Sequence, residues 1–288
     1  MKKGTVFISG GLGNQMFEYA FLLYLKRYSK LDNLKINTAF YIFCKDHNGY
    51  ELFRLFNISQ NKNILEFYLL RLSRFLYNRR GLIRKMPYMR YICEKNFSSS
   101  EIQSDSDIIY FFDGYWQELD FVEKVKKEIF NTFRFDKSKL NVETEKLYNK
   151  ISNLENTVSI HVRRGDYCKF DDKYGNICTL EYYKQAIEII NQKISDPLFI
   201  CFSDDMEWVR ANIQLENAIY VDWNIGENSW EDMFLMSNCR NSIIANSTFS
   251  WWGAYLKENI KDSVIICPHR FTNQSDDWAL IPEGWIKL

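Results

Sequence analysis

The sequence lacks the features that mark several classes of protein. None of its apolar runs approaches the ~18 residues that a membrane-spanning helix needs. The seven cysteines are scattered and form no C-x-x-C pair, which indicates a reducing compartment and neither a disulfide framework nor a zinc site. Lysine plus arginine (37) balances aspartate plus glutamate (37), so the basic field of a general nucleic-acid-binding protein is missing.

The amino terminus predicts a first β-strand and not a secretory signal. Two lysines precede a very short apolar stretch, and glycines interrupt it from Gly10 onwards. A signal peptide carries a longer apolar region than this. We therefore expect a cytoplasmic protein.

The pattern of strands and helices predicts an α/β protein. The composition, 46% hydrophobic and 17% aromatic over 288 residues, allows a sizeable core. Alternating strands and helices of this length are typical of parallel sheets covered on both faces. Strands are predicted at 5–8, 34–36, 108–112, 157–162, 198–202, 218–221, 242–245 and 264–267, and helices at 14–29, 118–130, 180–193, 206–213, 230–239 and 251–259.

The domain prediction is two α/β units with a cleft between them. We expect an amino-terminal unit over 1–150, with a largely helical insertion at about 60–95, and a carboxy-terminal unit over 151–288. In open parallel sheets, ligands bind beyond the carboxyl ends of the strands. Motifs at predicted strand ends are therefore the strongest candidates for a functional site.

The most informative motif follows a buried strand and reads HVRRGDY over residues 161–167. Side chains alternate along a strand, so His161 and Arg163 share one face while Arg164 leaves on the other. Two guanidinium groups at a strand end suit a diphosphate, because arginine makes bidentate contacts with phosphate oxygens. The alternative is that the two arginines form ordinary salt bridges with neighbouring acids.

A second motif passes from a strand through a hydroxyl-rich turn into a helix, over residues 242–253. Backbone N–H groups at a helix start, together with serine and threonine hydroxyls, can bind an anion. Simple N-capping of the helix by Ser247 or Thr248 is the alternative. The nearby arginines favour a phosphate site.

A third motif starts a helix near Ser229 and places Asp232 three residues later. This spacing fits a capping box, in which the two side chains satisfy backbone groups of the first turn. A carboxylate could equally accept the paired N–H groups of a guanine edge. Spacing alone favours the cap.

The glycine turn at 10–13 follows the first strand and lets backbone approach a ligand closely. It is similar to a dinucleotide fingerprint, but Met16 stands where the third glycine belongs. Asp32 precedes the next strand instead of ending it, so a nicotinamide enzyme is only a weak alternative.

No metal site is predicted. The D-x-D form at 105–107 precedes a strand, whereas metal-dependent sugar transferases carry it after one, so we interpret it as a solvated acidic loop. The three histidines are isolated. The basic helical region around 71–90 is interpreted as a solvated helix face, with contact to a membrane surface or a lipid-linked acceptor as the alternative.

Together the motifs resemble the bacterial α-1,2-fucosyltransferases of glycosyltransferase family 11. The resemblance extends over nearly the whole chain and rests on segments 10–17, 114–117, 161–167, 232–237 and 243–253, in that order. It implies a GT-B-like fold with two Rossmann-like domains facing across a cleft and the donor held mainly by the second. It further implies inverting transfer of L-fucose from GDP-β-L-fucose to the 2-hydroxyl of a terminal β-galactoside in a surface glycan such as O-antigen, with no metal and no cofactor beyond this co-substrate.

The resemblance also implies roles for individual residues. Arg163 would hold the β-phosphate and stabilise the departing GDP, while His161 and Asp232 would face the guanosine. Apart from the resemblance, Asp166 is the carboxylate nearest to the arginines in the sequence and is therefore a candidate general base. The alternatives are that it orients Arg164 or that the reaction needs no protein base. The remaining predicted contacts are Arg164, Ser247, Thr248, Ser250, Gly11, Gly13, Asn14 and Gln15 for the donor, and Tyr115 and Trp116 for the acceptor.

Two alternatives to this function stay open. One is a fucosyltransferase of another linkage, or one that acts on a different acceptor sugar. The other is a nucleotide-binding module without transfer activity.

Overall fold

The structure is a computed structural model that describes residues 3–44, 47–78, 88–98, 102, 108–165, 171–257, 260–274 and 278–288. Within these ranges the chain divides into two compact units, Met1–Phe135 and Asp136–Leu288. Each unit is built on one parallel sheet with helices packed against it. No helix in the described ranges is both long and apolar enough to cross a bilayer.

The sheet of the first unit has four strands in the order β2-β1-β4-β3, all parallel. Its core centres on Phe21, whose ring stacks at 3.8 Å on Trp116 and meets Phe112 edge-on at 5.6 Å. The elements are β1 (Lys3–Phe7), α1 (Leu12–Tyr28), β2 (Asn33–Asn37), α2 (Phe40–Phe43), α3 (Leu52–Phe56), α4 (Ile64–Asn78), β3 (Met89–Cys93), β4 (Ile109–Asp113), α5 (Leu119–Lys124) and α6 (Lys126–Thr132).

Two predictions in the first unit are corrected by the structure. The insertion predicted as helical over about 60–95 contains α4, but Met89–Cys93 is a strand, because it pairs along its whole length with β4. The helix predicted over 118–130 is two helices. It breaks at Val125, where a φ of −121° and a ψ of 25° lie outside the helical region.

The sheet of the second unit has six parallel strands in the order β10-β9-β8-β5-β6-β7. Every residue of its central strand β5 is buried, and the apolar ones pack in one cluster with Tyr183 and Ile190 of α9. The elements are α7 (Val142–Ile151), β5 (Thr157–Val162), α8 (Asp171–Tyr174), α9 (Leu180–Lys193), β6 (Leu198–Ser203), α10 (Met206–Asn212), β7 (Ala218–Val221), α11 (Trp230–Asn238), β8 (Asn241–Ile243), α12 (Thr248–Tyr255), β9 (Ile265–Cys267) and β10 (Ile286–Lys287).

The boundary between the units falls earlier than the predicted position near residue 150. Helix α7 belongs to the second unit because its first residues bond there. The side chain of Asn141 donates to Asn224 at 2.7 Å, and its backbone N–H donates to Glu231 at 3.0 Å. The predicted boundary near residue 150 therefore lies inside the second unit, at the end of α7.

Both sheets have a switch point, a position on either side of which the chain adds strands in opposite directions across the sheet. In the second unit the chain runs outward from β5 through β6 and β7, then returns to the other side of β5 with β8. In the first unit β1 is followed by β2 on one side, while β4 lies on the other. Ligands of open α/β sheets bind at such points, at the carboxyl ends of the strands. The glycine turn follows β1, and the HVRRGDY motif begins at the end of β5.

Candidate active site

Two arginines and two aspartates meet at the carboxyl edge of the second sheet. Arg163 and Arg164 follow β5, and Asp204 and Asp205 follow β6, which runs parallel to β5 and in register with it. Arg163 Nη1 lies 3.0 Å from Asp204 Oδ2, and Arg164 Nε lies 3.1 Å from Asp205 Oδ2. Both arginines thus form the ion pairs of the alternative interpretation. Because the Arg163 side chain is still 29% exposed, a phosphate could also reach it.

The two arginines are held differently. The Arg164 guanidinium lies 4.1 Å from the centre of the Trp208 ring, so it is fixed by a cation–π contact as well as by Asp205. The backbone N–H of Arg164 donates to Asp204 at 2.8 Å. This bond also fixes the position of the aspartate that pairs with Arg163. This arrangement makes Arg164 part of the scaffold that orients Arg163.

His161 is buried beside the arginines and carries a ring nitrogen, Nδ1, with no hydrogen-bond partner among the described residues. Burial and, to a smaller extent, the charge of Arg163 lower its pKa and Asp204 partly opposes them, so that the pKa is about 4. The imidazole is therefore neutral near pH 7. Its ring centre lies 5.9 Å from that of Phe249 in α12. A buried polar atom without a partner at a strand end indicates a group that bonds to a ligand or to water.

The start of α12 lies on the other side of the switch point. Ser247 is the N-cap residue, and its hydroxyl accepts from the Phe249 N–H at 3.3 Å, so the capping interpretation is confirmed. Ser250 is fully buried, and its hydroxyl donates to the Ser247 carbonyl at 3.3 Å. The phosphate contact predicted for Ser250 does not fit this inward position. Thr248 is half-buried and is the more accessible of the three hydroxyl residues.

Asp232 lies in the first turn of α11, where the capping box predicted from spacing does not form. The side chain of Ser229 makes no cap hydrogen bond. Instead, Asn224 Nδ2 donates to Asp232 Oδ1 at 2.9 Å. Burial raises the pKa of Asp232, the Asn224 bond opposes this and Glu231 adds to it, so that the pKa is about 8. No ion pair in the described part of the chain involves this carboxylate, which suits it to accept N–H groups from a ligand.

In the first unit the glycine turn is held by its own surroundings. Gly10 has a φ of +71°, and a Cβ there would lie 2.8 Å from the Asn14 side chain. Its carbonyl accepts from the Tyr41 hydroxyl at 2.7 Å. Gly11 is the N-cap residue of α1, and Gly13 is buried in the first helical turn. The turn therefore requires glycine at position 10 for conformation and for space.

Gln15 is fully buried beneath this turn. Its amide nitrogen donates to the carbonyls of Gly10 and Gly49 at 3.1 and 2.8 Å, and its oxygen accepts from the Glu51 N–H at 2.9 Å. All its polar atoms are used to join the turn to the next loop. The direct donor contact predicted for Gln15 does not fit this position.

The loop after β4 meets the glycine turn. Gln117 Nε2 donates to Asn14 Oδ1 at 3.0 Å, and the Glu94 carboxylate accepts from the N–H groups of Tyr115 and Gln117 at 3.0 and 2.8 Å. Tyr115 is 42% exposed. Trp116 is fully buried in the aromatic core, so its predicted contact with an acceptor is corrected to a packing role.

Sequence reasoning missed Asp204, Asp205, Trp208 and Asn224. The two aspartates follow a predicted strand, as the arginines do, so the strand-end rule could have found them. Asn224 belongs to no motif. Of the predicted residues, Asp166 and the acidic loop 105–107 lie outside the described residues. The described ranges contain no group of three or more histidine, cysteine, aspartate or glutamate side chains able to hold a metal ion.

The model of "Glycosyl transferase family 11" matches residues 1–287. The O-antigen biosynthesis glycosyltransferase WbnK of Escherichia coli is 31% identical over 98% of this chain and 99% of its own. An alpha-1,2-colitosyltransferase of Escherichia coli is 32% identical over 98% and 97%. Galactoside alpha-(1,2)-fucosyltransferase 1 of Plecturocebus brunneus is 32% identical, but over only 34% of this chain and 28% of its own.

The fold is also shared with a solved structure. The fucosyltransferase NodZ from Bradyrhizobium has a TM-score of 0.58 at 14% sequence identity, over 89% of this chain and 93% of that one. This likeness confirms the predicted fold class, a GT-B-like α/β protein. The family match over nearly the full length confirms the resemblance drawn from the motifs. The chain therefore belongs to glycosyl transferase family 11, and the protein is a glycosyltransferase.

Proposed function

We propose that this glycosyltransferase moves L-fucose from GDP-β-L-fucose to the 2-hydroxyl of a terminal β-galactoside, giving an α-1,2 linkage in a surface glycan such as O-antigen. The observation that carries the proposal is the cluster of Arg163, Asp204 and His161 at the switch point of the second sheet. Relatives named for α-1,2 transfer of fucose and of colitose support the linkage. The relative named for O-antigen biosynthesis supports the context.

In this proposal the second unit holds the donor. Arg163 contacts the β-phosphate, because its guanidinium is oriented by Asp204 and accessible at the strand end. The neutral ring of His161 bonds to the nucleoside through Nδ1. Asp232 accepts N–H groups of the guanine edge and is ionised in the complex, which releases a proton near pH 7.

The chemistry requires positive charge at the leaving group. Cleavage of the bond between the sugar and the phosphate develops negative charge on the diphosphate while the anomeric carbon gains oxocarbenium character. Arg163 and the N-terminus of α12 near Thr248 supply fixed positive potential there. The acceptor oxygen attacks the opposite face of the anomeric carbon, so the configuration inverts. Asp166 stays a candidate for the base that takes the hydroxyl proton.

We further propose that transfer needs no metal ion. The support is that a preorganised guanidinium and a helix terminus can perform the charge stabilisation that a divalent cation performs in other transferases. The test is activity in excess EDTA. Loss of turnover that Mg²⁺ or Mn²⁺ restores would overturn metal independence.

The central experiment is GDP release from GDP-fucose with lactose, N-acetyllactosamine and galacto-N-biose as acceptors, in EDTA, with the product linkage read by NMR. We expect fucose on the galactose 2-hydroxyl. A product with another linkage would overturn the proposed α-1,2 linkage but would support GDP-fucose as the donor. Tight binding of GDP-fucose without any product would favour a nucleotide-binding module, and failure to bind GDP-fucose would overturn the donor assignment.

A colitosyl transfer is the second candidate, because an alpha-1,2-colitosyltransferase aligns over 98% of the chain. Colitose differs from fucose by lacking the 3-hydroxyl. A site that hydrogen-bonds this hydroxyl rejects the deoxy sugar by on the order of 10⁴-fold, whereas an apolar site discriminates weakly against the hydroxyl. The ratio of kcat/KM for the two GDP-sugars therefore identifies the donor.

We also propose a peripheral contact with the cytoplasmic face of a membrane through α4. Four of its side chains, Leu65, Tyr68, Leu72 and Phe75, are 48 to 70% exposed at helical spacing. Between Glu66 and Glu94 the sequence has no acidic residue. The basic residues in that interval are Arg71, Arg74, Arg79, Arg80, Arg84, Lys85 and Arg90.

Vesicle flotation tests the membrane contact. We expect the protein to bind vesicles that contain phosphatidylglycerol and not pure phosphatidylcholine, because basic residues favour anionic lipid. Leu65→Ser with Leu72→Ser should abolish flotation and leave turnover with a soluble acceptor unchanged. Equal recovery of wild type and variant with anionic vesicles would contradict the proposal.

A further inference from the structure

Asn224 is a buried polar side chain that lies against the Asp232 carboxylate. It follows β7 by three residues and is 7% exposed. Its Nδ2 donates to Asp232 Oδ1 at 2.9 Å. It is the hydrogen-bond donor that the described residues present to this carboxylate.

The orientation of the Asn224 amide is fixed from the other side. Its Oδ1 accepts from Asn141 Nδ2 at 2.7 Å and from the Thr144 hydroxyl at 3.0 Å. A flipped amide would turn its NH₂ group toward these donors and its oxygen toward a carboxylate. The network therefore requires that the N–H face Asp232.

Glu231, the acidic neighbour of Asp232, is held by the start of α7. Glu231 is buried, and its Oε2 accepts from the backbone N–H of Asn141 at 3.0 Å. Of the groups that act on the titration of Asp232, Glu231 opposes ionisation and Asn224 favours it. The start of α7 thus holds both the amide that supports Asp232 and the carboxylate that repels it.

We infer that Asn224 is a positioning residue that orients the Asp232 carboxylate toward the base of the nucleotide donor and so sets the preference for guanine. The inference rests on the proposed role of Asp232. Guanine presents two parallel donors, N1–H and the 2-amino group, and a carboxylate meets both only when its plane faces that edge. Hypoxanthine presents N1–H alone, so a rotated carboxylate loses more with guanine than with hypoxanthine.

A purely structural role makes a different prediction. If Asn224 only anchored α7, variants that break the same anchor elsewhere would have the same effect as variants of Asn224. Asn141→Ala is the matched control. It removes a donor to Asn224 Oδ1 and the N-cap bond to the Thr144 N–H, but leaves the bond from Asn224 to Asp232.

The experiment is calorimetric titration of wild type, Asn224→Ala and Asn141→Ala with GDP and IDP, with thermal unfolding measured for each. Wild type should prefer GDP. In Asn224→Ala, GDP should bind about ten- to a hundredfold more weakly, which is the range for a lost hydrogen bond to a charged group, and IDP should lose less. In Asn141→Ala the preference for GDP should persist even though the Tm falls.

A second variant tests the inference if Asn224→Ala does not fold. Asn224→Asp keeps acceptor oxygens for Asn141 and Thr144, removes the N–H donor and places a second carboxyl beside Asp232. The same loss of GDP preference is expected at pH 7, because a like charge disfavours ionisation of Asp232.

The dependence of GDP affinity on pH gives an independent readout. Burial raises the pKa of Asp232 to about 8, so wild-type affinity should rise as the pH approaches 8. Without the Asn224 donor the rise should move to higher pH, while Asn141→Ala should leave it in place. A folded Asn224→Ala that keeps both the GDP preference and the wild-type pH profile would overturn the inference. A wild type without preference for GDP over IDP would instead overturn the role of Asp232 itself.

Discussion

The two units bring their loops to the same place in their sheets but use the side chains there differently. At the end of β1 the amide of Gln15 is fully used and the Glu94 carboxylate is bonded to two N–H groups. The buried Nε1 of Trp116 in the neighbouring loop has no partner among the described residues, but it faces the aromatic core. At the end of β5 His161 has a ring nitrogen without a partner, and Asp232 has no cation beside it among the described residues. The amide and carboxylate groups of the first edge are bonded within the unit, whereas the second edge contains an imidazole nitrogen and a carboxylate that can bond to a ligand.

The charged side chains at the two sheet edges also differ. The buried carboxyl under the glycine turn is that of Glu18, whose pKa burial raises well above its usual range although Ser9 donates to it. The second edge carries two arginines. An anionic diphosphate is therefore favoured at the second edge, and a neutral sugar is compatible with the first.

The largest expected effect is on catalysis by the second edge. Arg163→Ala should lower kcat for fucose transfer by about 100- to 1000-fold, the range for loss of one preorganised donor to a developing negative charge. Initial rates with saturating GDP-fucose and lactose measure it. The fold should stay intact, because Arg163 is partly exposed at the sheet edge, where it pairs with Asp204.

Arg210→Ala is the matched control for this substitution. Arg210 also pairs with an aspartate, Asp222 at 2.8 Å, but on the surface of the same unit. Such exposed pairs contribute little to stability. Equal rates for the two variants would remove Arg163 from the mechanism and with it the electrostatic contrast between the units.

The next effect is on base recognition. Asp232→Asn should weaken GDP binding by about ten- to a hundredfold, because an amide meets one of the two guanine donors with a donor of its own. Binding of XDP should strengthen, since xanthine has an acceptor where guanine has the 2-amino group. Titration with both nucleotides measures the exchange, and an unchanged ratio of GDP to XDP affinity would show that Asp232 does not contact the base.

The sequence predicts the elements whose state is set locally. β5 is found at its predicted bounds, Thr157–Val162, because apolar residues alternate with polar ones along it and two arginines follow it, a pattern typical of a strand. β3 was wrongly predicted as helix because its strand state comes from pairing with β4, about twenty residues further along the chain. α7 was missed because its start is defined by bonds from Asn141 to residues beyond position 220.

The candidate site divides in the same way. The strand-end rule identified Arg163 and His161, since a buried strand followed by arginines can be recognised in the sequence. The inward position of Trp116, with a φ of +54° and its ring stacked on Phe21, depends on the packed core and has no local signal. The bond between Asn224 and Asp232 depends on how the loop after β7 meets α11.

A smaller effect separates the units by the pH dependence of stability. Because the folded-state pKa of Glu18 is raised, the folded protein keeps a proton that the unfolded chain releases near pH 4.5. Stability should then fall as the pH rises above that value, by up to about 1.4 kcal/mol per pH unit. Glu18→Gln should remove this term and be more stable than wild type at pH 8, as measured by urea unfolding at pH 5 and pH 8.

In the second unit the pH dependence of stability has the opposite sign. The pKa of His161 is lowered to about 4 from 6.5, so the unfolded chain binds more protons between these values and stability from this group rises with pH. This rise opposes the fall caused by Glu18 between pH 4.5 and 6.5, so His161→Gln should make stability fall more steeply with pH in that interval. If Glu18→Gln and His161→Gln changed the profile in the same direction, the contrast in charge between the two edges would be wrong.

The smallest expected effect decides which substrate the first edge serves. Tyr115 is exposed beside the glycine turn, since a Cβ on Gly10 would lie 3.4 Å from its ring. If this edge receives the acceptor, Tyr115→Ala should raise the KM for lactose about fivefold, on the order of 1 kcal/mol for part of a buried ring, and leave the KM for GDP-fucose unchanged. Trp116→Phe should lower the Tm and leave both KM values unchanged, because Trp116 is in the core. A rise in the KM for GDP-fucose alone would mean that the glycine turn serves the donor, as the family resemblance implies for Asn14, and that the first unit is not only an acceptor surface.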